Sequence, residues 1–165
     1  MSTRRVTTWC VSVLAAGGIL GGATPAGAGR ASGVTLSRAE TALLVTLNDV
    51  RVQHGLAPFQ VGTKLERAAR FHSLDMLRGG YFAHGDFAGR MARFGVSAAA
   101  IGENLAWGTG SYGSASSIVR LWLNSPPHRA NLLRPGFRRI GIAALVGSFD
   151  GYGGATVVTA DFAGT

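Results

Sequence analysis

A single cysteine, Cys10, sits near the start of this 165-residue chain, so no disulfide framework can staple the fold and no cysteine cluster can hold a metal. Lysine is equally scarce: Lys64 is the only one, and arginine carries the remaining positive charge. Acidic residues are few, eight against sixteen Lys and Arg, which leaves a formal net charge of +8. No basic run is longer than a pair, as in Arg138-Arg139. Dispersed arginines describe a solvated basic surface better than the concentrated stripe that nucleic acid requires, and no nucleic-acid partner is expected. Also missing are an H-E-x-x-H pair, a dense aspartate loop and any internal repeat.

The N-terminus reads as a leader. Arg4-Arg5 precedes an uncharged stretch from Val6 to Ala28 with an apolar centre at Val11–Leu20, and Ala26-Gly27-Ala28 is a small-x-small cleavage site. Cleavage is expected after Ala28, giving residues 1–28 as signal peptide, 29–36 as a flexible lead-in and 37–165 as one domain. An uncleaved anchor is the competing reading, but the Gly, Ser, Thr and Pro content makes a poor membrane helix. The arginine pair suits a twin-arginine signal, although Val6-Thr7-Thr8 after it matches weakly. Removing the leader takes Cys10 with it and lowers the net charge to about +6. The expected product is secreted and extracellular, with no membrane span, and monomeric.

Ser37-Arg38-Ala39-Glu40 has the form of a capping box, followed by Leu43, Leu44, Leu47 and Val50 at helical spacing, which predicts a helix over 38–54. Thr63-Lys64-Leu65-Glu66 reads as a second box opening a helix that ends at Gly79-Gly80. A short helix is expected over 87–94, a fourth capped by Ser114, and one or two turns over 127–133. Strands are predicted at 140–146 and 156–162, joined by a Gly-rich loop over 147–154, with a third at 103–108. Helices followed by a hairpin imply an α+β layered fold.

Chemistry-bearing residues gather in four segments: Tyr81-Phe82-Ala83-His84, Gly102-Glu103-Asn104, Trp122 to Asn131, and Thr159-Ala160-Asp161-Phe162. His84 and His128 are two imidazoles on separate segments, with Glu103 between them in sequence. Such a set suits a borderline cation such as zinc, but by spacing alone the signal is weak, and loop histidines satisfied by local hydrogen bonds are the preferred reading. His72 falls on the apolar face of its helix and reads as a core histidine. Trp122 reads as core, and Asp161 as an ion-pair or hydrogen-bond partner. Asn48 and Arg51, one turn apart, suggest a polar clamp on the first helix.

The ordered set Asn48-x-x-Arg51-x-x-x-Gly55, Ala68-x-x-x-His72-Ser73-x-Asp75-Met76, Tyr81-Phe82-x-His84 and Gly102-Glu103-Asn104-Leu105-Ala106 resembles the bacterial branch of the CAP superfamily. Trp122-x-x-Ser125-Pro126-x-His128-Arg129-x-Asn131-Leu132-Leu133, Phe137-x-x-Ile140-Gly141-Ile142 and Thr159-x-Asp161-Phe162 continue the resemblance. The resemblance implies a three-layer α-β-α sandwich around a central antiparallel sheet. It also implies a cleft lined by two histidines and two acids. His84, Glu103 and His128 match three of the four, with Asn104 at the cleft floor, while Ser125 stands where relatives commonly have the second acid. A divalent metal, zinc first, held by His84 and His128 with Glu103 directly or through water, follows from the resemblance, although a serine in place of a carboxylate weakens it. The function implied is a non-enzymatic extracellular module binding an envelope or extracellular ligand. The alternatives are a metal-assisted hydrolase of peptide or envelope polymer, and a sterol or lipid carrier using the apolar 95–101 segment.

Overall fold

The computed structural model describes residues 11–15 and 34–164. Its first helix, α1 (Arg38–Gln53), starts as its sequence predicts: the Ser37 side chain accepts from the Glu40 amide while Glu40 Oε2 accepts from the Ser37 amide. The second expected capping box does not form. Helix α2 runs Thr63–Gly79, its N-cap is Gly62 and no side chain caps it, because the short strand β2 (Gln60–Val61) leads straight into the helix and the Gly62 amide donates to Ile140 O. Glu66 instead pairs with Arg70 at 2.8 Å.

Helix α3 spans Phe87–Arg93, capped by Asp86, and strand β3 spans Ala100–Thr109. After a 3₁₀ turn at Gly110–Gly113 come α4 (Ala115–Leu123), capped by Ser114, and α5 (Pro126–Leu132). The last two strands, β4 (Phe137–Phe149) and β5 (Tyr152–Gly164), are longer than the sequence suggests. The expected 147–154 loop is a two-residue turn: Asp150 and Gly151 both take positive φ, 49° and 78°, the left-handed pair that matches the twist of a tight hairpin. Glycine-rich flanks therefore continue the strands instead of leaving them.

The sheet order is β1-β3-β5-β4-β2, where β1 is Val11–Ala15. All pairings are antiparallel except the two-residue β2–β4 edge, which is parallel. Within the expected leader only 11–15 are described, and they form a strand against the outer edge of β3, from Val11 opposite Asn104 to Ala15 opposite Ala100. The rest of that leader lies outside the described residues. No helix among the described residues is long and apolar enough to cross a membrane.

Alternation along β5 builds the three layers. Val158, Ala160 and Phe162 point to one face and pack with Leu43, Leu47, Ile118 and Trp122 of α1 and α4. Ala155, Val157 and Ala163 point to the other, where Leu65 and Met76 of α2 and Phe87 and Met91 of α3 cover them. Helix α2 lies directly on β4 because Gly141 has no side chain: a Cβ there would overlap the Leu65 backbone. The expected α-β-α sandwich is what the chain forms.

Candidate functional site

The same alternation sorts the polar residues. Glu103 and Asp161 are direct cross-strand partners, one on β3 and one on β5, and both face the α2–α3 layer. Both are 0% exposed. Above them the loop after α2 brings His84, whose Nδ1–H donates to Glu103 Oε1 at 2.6 Å. Arg90, from α3, reaches Glu103 Oε2 with one guanidinium nitrogen and His84 O with the other at 3.0 Å. Its distance to Asp161 is 3.9 Å. His72 closes the group from α2, donating from Nε2 to Ala83 O at 2.9 Å and standing 4.0 Å from Glu103.

Two buried carboxyls beside one arginine leave a charge imbalance that proton binding relieves. Burial pushes Glu103 up to about 7, against the opposing pull of Arg90. Asp161 is held well above the usual carboxylate range by burial and then by the charge of the adjacent Glu103. Burial, with the nearby Arg90 guanidinium second, lowers His72 to about 4, so it is neutral near pH 7.

Asn104, next along β3, turns to the opposite face. There its Nδ2 donates to His128 O at 3.1 Å, and Asn131 Nδ2 donates to Asn104 Oδ1 at 2.9 Å and to Glu103 O at 3.2 Å. His128 Nδ1 is hydrogen-bonded to Ser125 Oγ at 2.7 Å. The structure thus joins His84 directly to Glu103, and His128 directly to Ser125. The two pairs are linked through the Asn104–Asn131 bridge, which holds both the His128 carbonyl and the Glu103 carbonyl. All four side chains are buried, His84 and Ser125 least completely at 7% and 8% exposure.

A model of the cysteine-rich secretory protein family, CAP, matches residues 44–162. The chain belongs to the CAP family. It is 34% identical over 113 residues to the uncharacterized protein YkwD of Bacillus subtilis, covering 66% of this chain and 43% of that protein. It is 32% identical over 108 residues to the uncharacterized membrane protein YlbC of the same organism, covering 62% of this chain and 30% of that one. The chain therefore spans less than half the length of these curated relatives. Among solved structures, an extracellular protein containing an SCP domain from Bacillus anthracis aligns with TM-score 0.64 at 26% identity, over 76% of this chain and 40% of that one. An outer surface protein of Borrelia burgdorferi aligns with TM-score 0.67 at 20% identity, over 80% of this chain and 97% of that one, a likeness of fold.

Within this CAP domain the position of Ser125 holds a neutral hydroxyl, and the second buried acid near Glu103 is Asp161, from another strand. Arg90 is the residue that sequence reasoning missed. Its signal was a cation among apolar neighbours: Phe87, Met91 and Phe94 share its helix face, and the arginine is 7% exposed. Of the donor set His84, Glu103 and His128, Glu103 is not free to ligate an ion directly as arranged. Both Glu103 oxygens are already taken, by His84 and by Arg90, and no group of three or more His, Cys, Asp and Glu among the described residues is placed to hold a metal. The 95–101 segment, considered for lipid, packs Val96, Ala98 and Ile101 against Leu65, Phe87 and Met91.

Proposed function

We propose that this CAP domain is an exported binding module and that its His/Glu cluster supports a recognition surface without performing turnover. The observation that carries the reading is the internal pairing of Glu103: a carboxylate that accepts from His84 and Arg90 at once, at 0% exposure, is not placed to take a proton from water. Ser125 and His128 are hydrogen-bonded, while Glu103 spends its oxygens on His84 and Arg90 and not on that pair. Export rests on the leader-like N-terminus and on the extracellular or outer-surface relatives. Cleavage after Ala28 would also remove β1 and open the backbone edge of β3 beside Glu103 and Asn104, which suits an extended ligand.

The test compares wild type with Glu103→Gln on peptide and envelope-polymer substrates, with and without chelator. No turnover in either protein, together with lower stability of the variant, is the expected result. Chelator-sensitive cleavage that disappears in a folded Glu103→Gln would overturn the reading in favour of a hydrolase.

A further inference from the structure

Next to the Glu103 cluster, sharing Arg90 and His72 with it, a hollow opens between α2, the loop that follows it, and α3, with a volume of about 290 Å³. Aromatic faces form part of its wall. The Arg93 guanidinium lies 4.7 Å from the centre of the Phe71 ring, and Tyr81 contributes a second ring. Arg90 lines the inner part.

Each of its two carboxylates holds one internal hydrogen bond. Asp75 accepts from the Tyr81 hydroxyl at 2.5 Å, and Asp86 Oδ1 accepts from the Gly89 amide at 2.9 Å. The Nε–H of Arg90 is buried and has no acceptor, in a side chain 7% exposed. Arg93 meets two aromatic rings, Phe71 and Phe94, and neither is a hydrogen-bond acceptor for its fork of N–H groups. A buried N–H without an acceptor, beside an exposed guanidinium, calls for a ligand that brings acceptors. Arginine's planar fork matches a carboxylate in two-point fashion, and flat rings match a flat body. The volume sits at the lower limit for small-molecule sites, enough for a single-ring molecule.

We propose that this hollow binds a small carboxylate with a flat apolar body, the carboxylate facing Arg93 and Arg90 and the body lying against Phe71 and Tyr81. Arg90 is shared with the Glu103 cluster, but Arg93 is exposed and outside it, so the Arg93→Gln arm tests this site apart from the function proposed above.

The experiment is an amide NMR titration of the full chain with benzoate, with benzamide as its uncharged match and inorganic phosphate as an anion without a flat body. Expected are saturable shifts from benzoate centred on residues 71–75 and 85–93, with affinity at least about tenfold weaker for benzamide and for Arg93→Gln. Phe71→Ala should weaken benzoate but leave the response to phosphate unchanged. Benzamide binding as well as benzoate, Arg93→Gln binding as well as wild type, phosphate binding as tightly as benzoate, or no saturation by benzoate would each overturn the proposal. Spectra of both variants matching wild type away from the hollow establish that they are folded.

Discussion

Replacing Arg90 with methionine removes the only arginine or lysine among the described residues within 4.0 Å of Glu103 and Asp161, together with a donor to His84 O. Methionine retains the bulk of the aliphatic stem, so packing against Phe87 changes little and the loss is chiefly of charge. Removing one partner of a buried ion pair costs about 3–5 kcal/mol, because the remaining charge has neither water nor a counter-ion. Against a total stability of about 5–15 kcal/mol that is a large share, and for a domain of this size it lowers Tm by about 10–20 °C. The penalty is pH-dependent. With the cation gone, a proton on Glu103 is the remaining way to neutralise the pair, so the loss should be smaller at pH ~5 than at pH ~8.

Urea unfolding followed by tryptophan fluorescence, with Trp122 at 0% exposure as the buried reporter, measures this directly at the two pH values. Glu103→Gln in the Arg90→Met background provides the internal check: it should cost less than Glu103→Gln alone, since the charge it removes is already unpaired. A loss below about 1 kcal/mol at the higher pH, equal losses at both, or strict additivity of the two substitutions would refute the account.

Arg51→Met should be at least as damaging for a different reason: four carbonyls, of Ala57, Leu132, Arg134 and Phe137, lose donors at 2.8, 2.7, 3.3 and 2.9 Å, at about 1–3 kcal/mol each, and a thermal melt indistinguishable from wild type would show the clamp to be idle. Wild-type stability should decline as pH rises from about 4 toward 7. Raised carboxyls contribute stability that is complete below their unfolded values and lost through their folded ones, about 7 for Glu103 and higher than usual for Asp161. His72, lowered to about 4, acts in the opposite sense over nearly the same range and offsets Glu103, so Asp161 supplies the net slope. Urea midpoints across that range should therefore be flatter in Asp161→Asn, and an unchanged slope would show that Asp161 is not protonated in the fold. Calorimetry with zinc should find no tight site, because Glu103 has no oxygen to offer; stoichiometric high-affinity binding abolished by Glu103→Gln would contradict that geometry.

What the sequence disclosed and what it concealed follow one physical divide. Local chemistry was legible. The Ser37–Glu40 box, the Ser114 cap, the Asn48 and Arg51 clamp and the interior Trp122 all announce themselves within a few residues, and each stands where expected. Thr63 misled because a cap is decided by the chain entering the helix, and here that chain is a strand whose next amide, Gly62, is bound to β4. Residues 147–154 misled because glycine signals both loops and strands near a tight turn, and only the positive φ at Asp150 separates the cases. Of the candidate site, His84 beside Glu103 was legible through resemblance, whereas the Glu103–Asp161 pairing depends on cross-strand register, 58 residues apart along the chain. Arg90 could have been found by asking why an arginine shares a short helix face with Phe87 and Met91: only a buried negative partner makes that position tolerable.

The two halves of the cluster differ in a way that bears on what the domain can do. In each, Nδ1 of a histidine is held by an oxygen: a carboxylate for His84, a hydroxyl for His128. A carboxylate favours the imidazolium and raises basicity at the far nitrogen, while a neutral hydroxyl fixes the ring but supplies little charge. At position 125 it is a neutral serine hydroxyl, and not a carboxylate, that meets His128 Nδ1. Glu103, which alone would favour a charged His84, divides its oxygens between that ring and Arg90. Both Glu103 oxygens are thus engaged inside the fold, and a carboxylate held in that way ties the loop after α2 and helix α3 to strand β3.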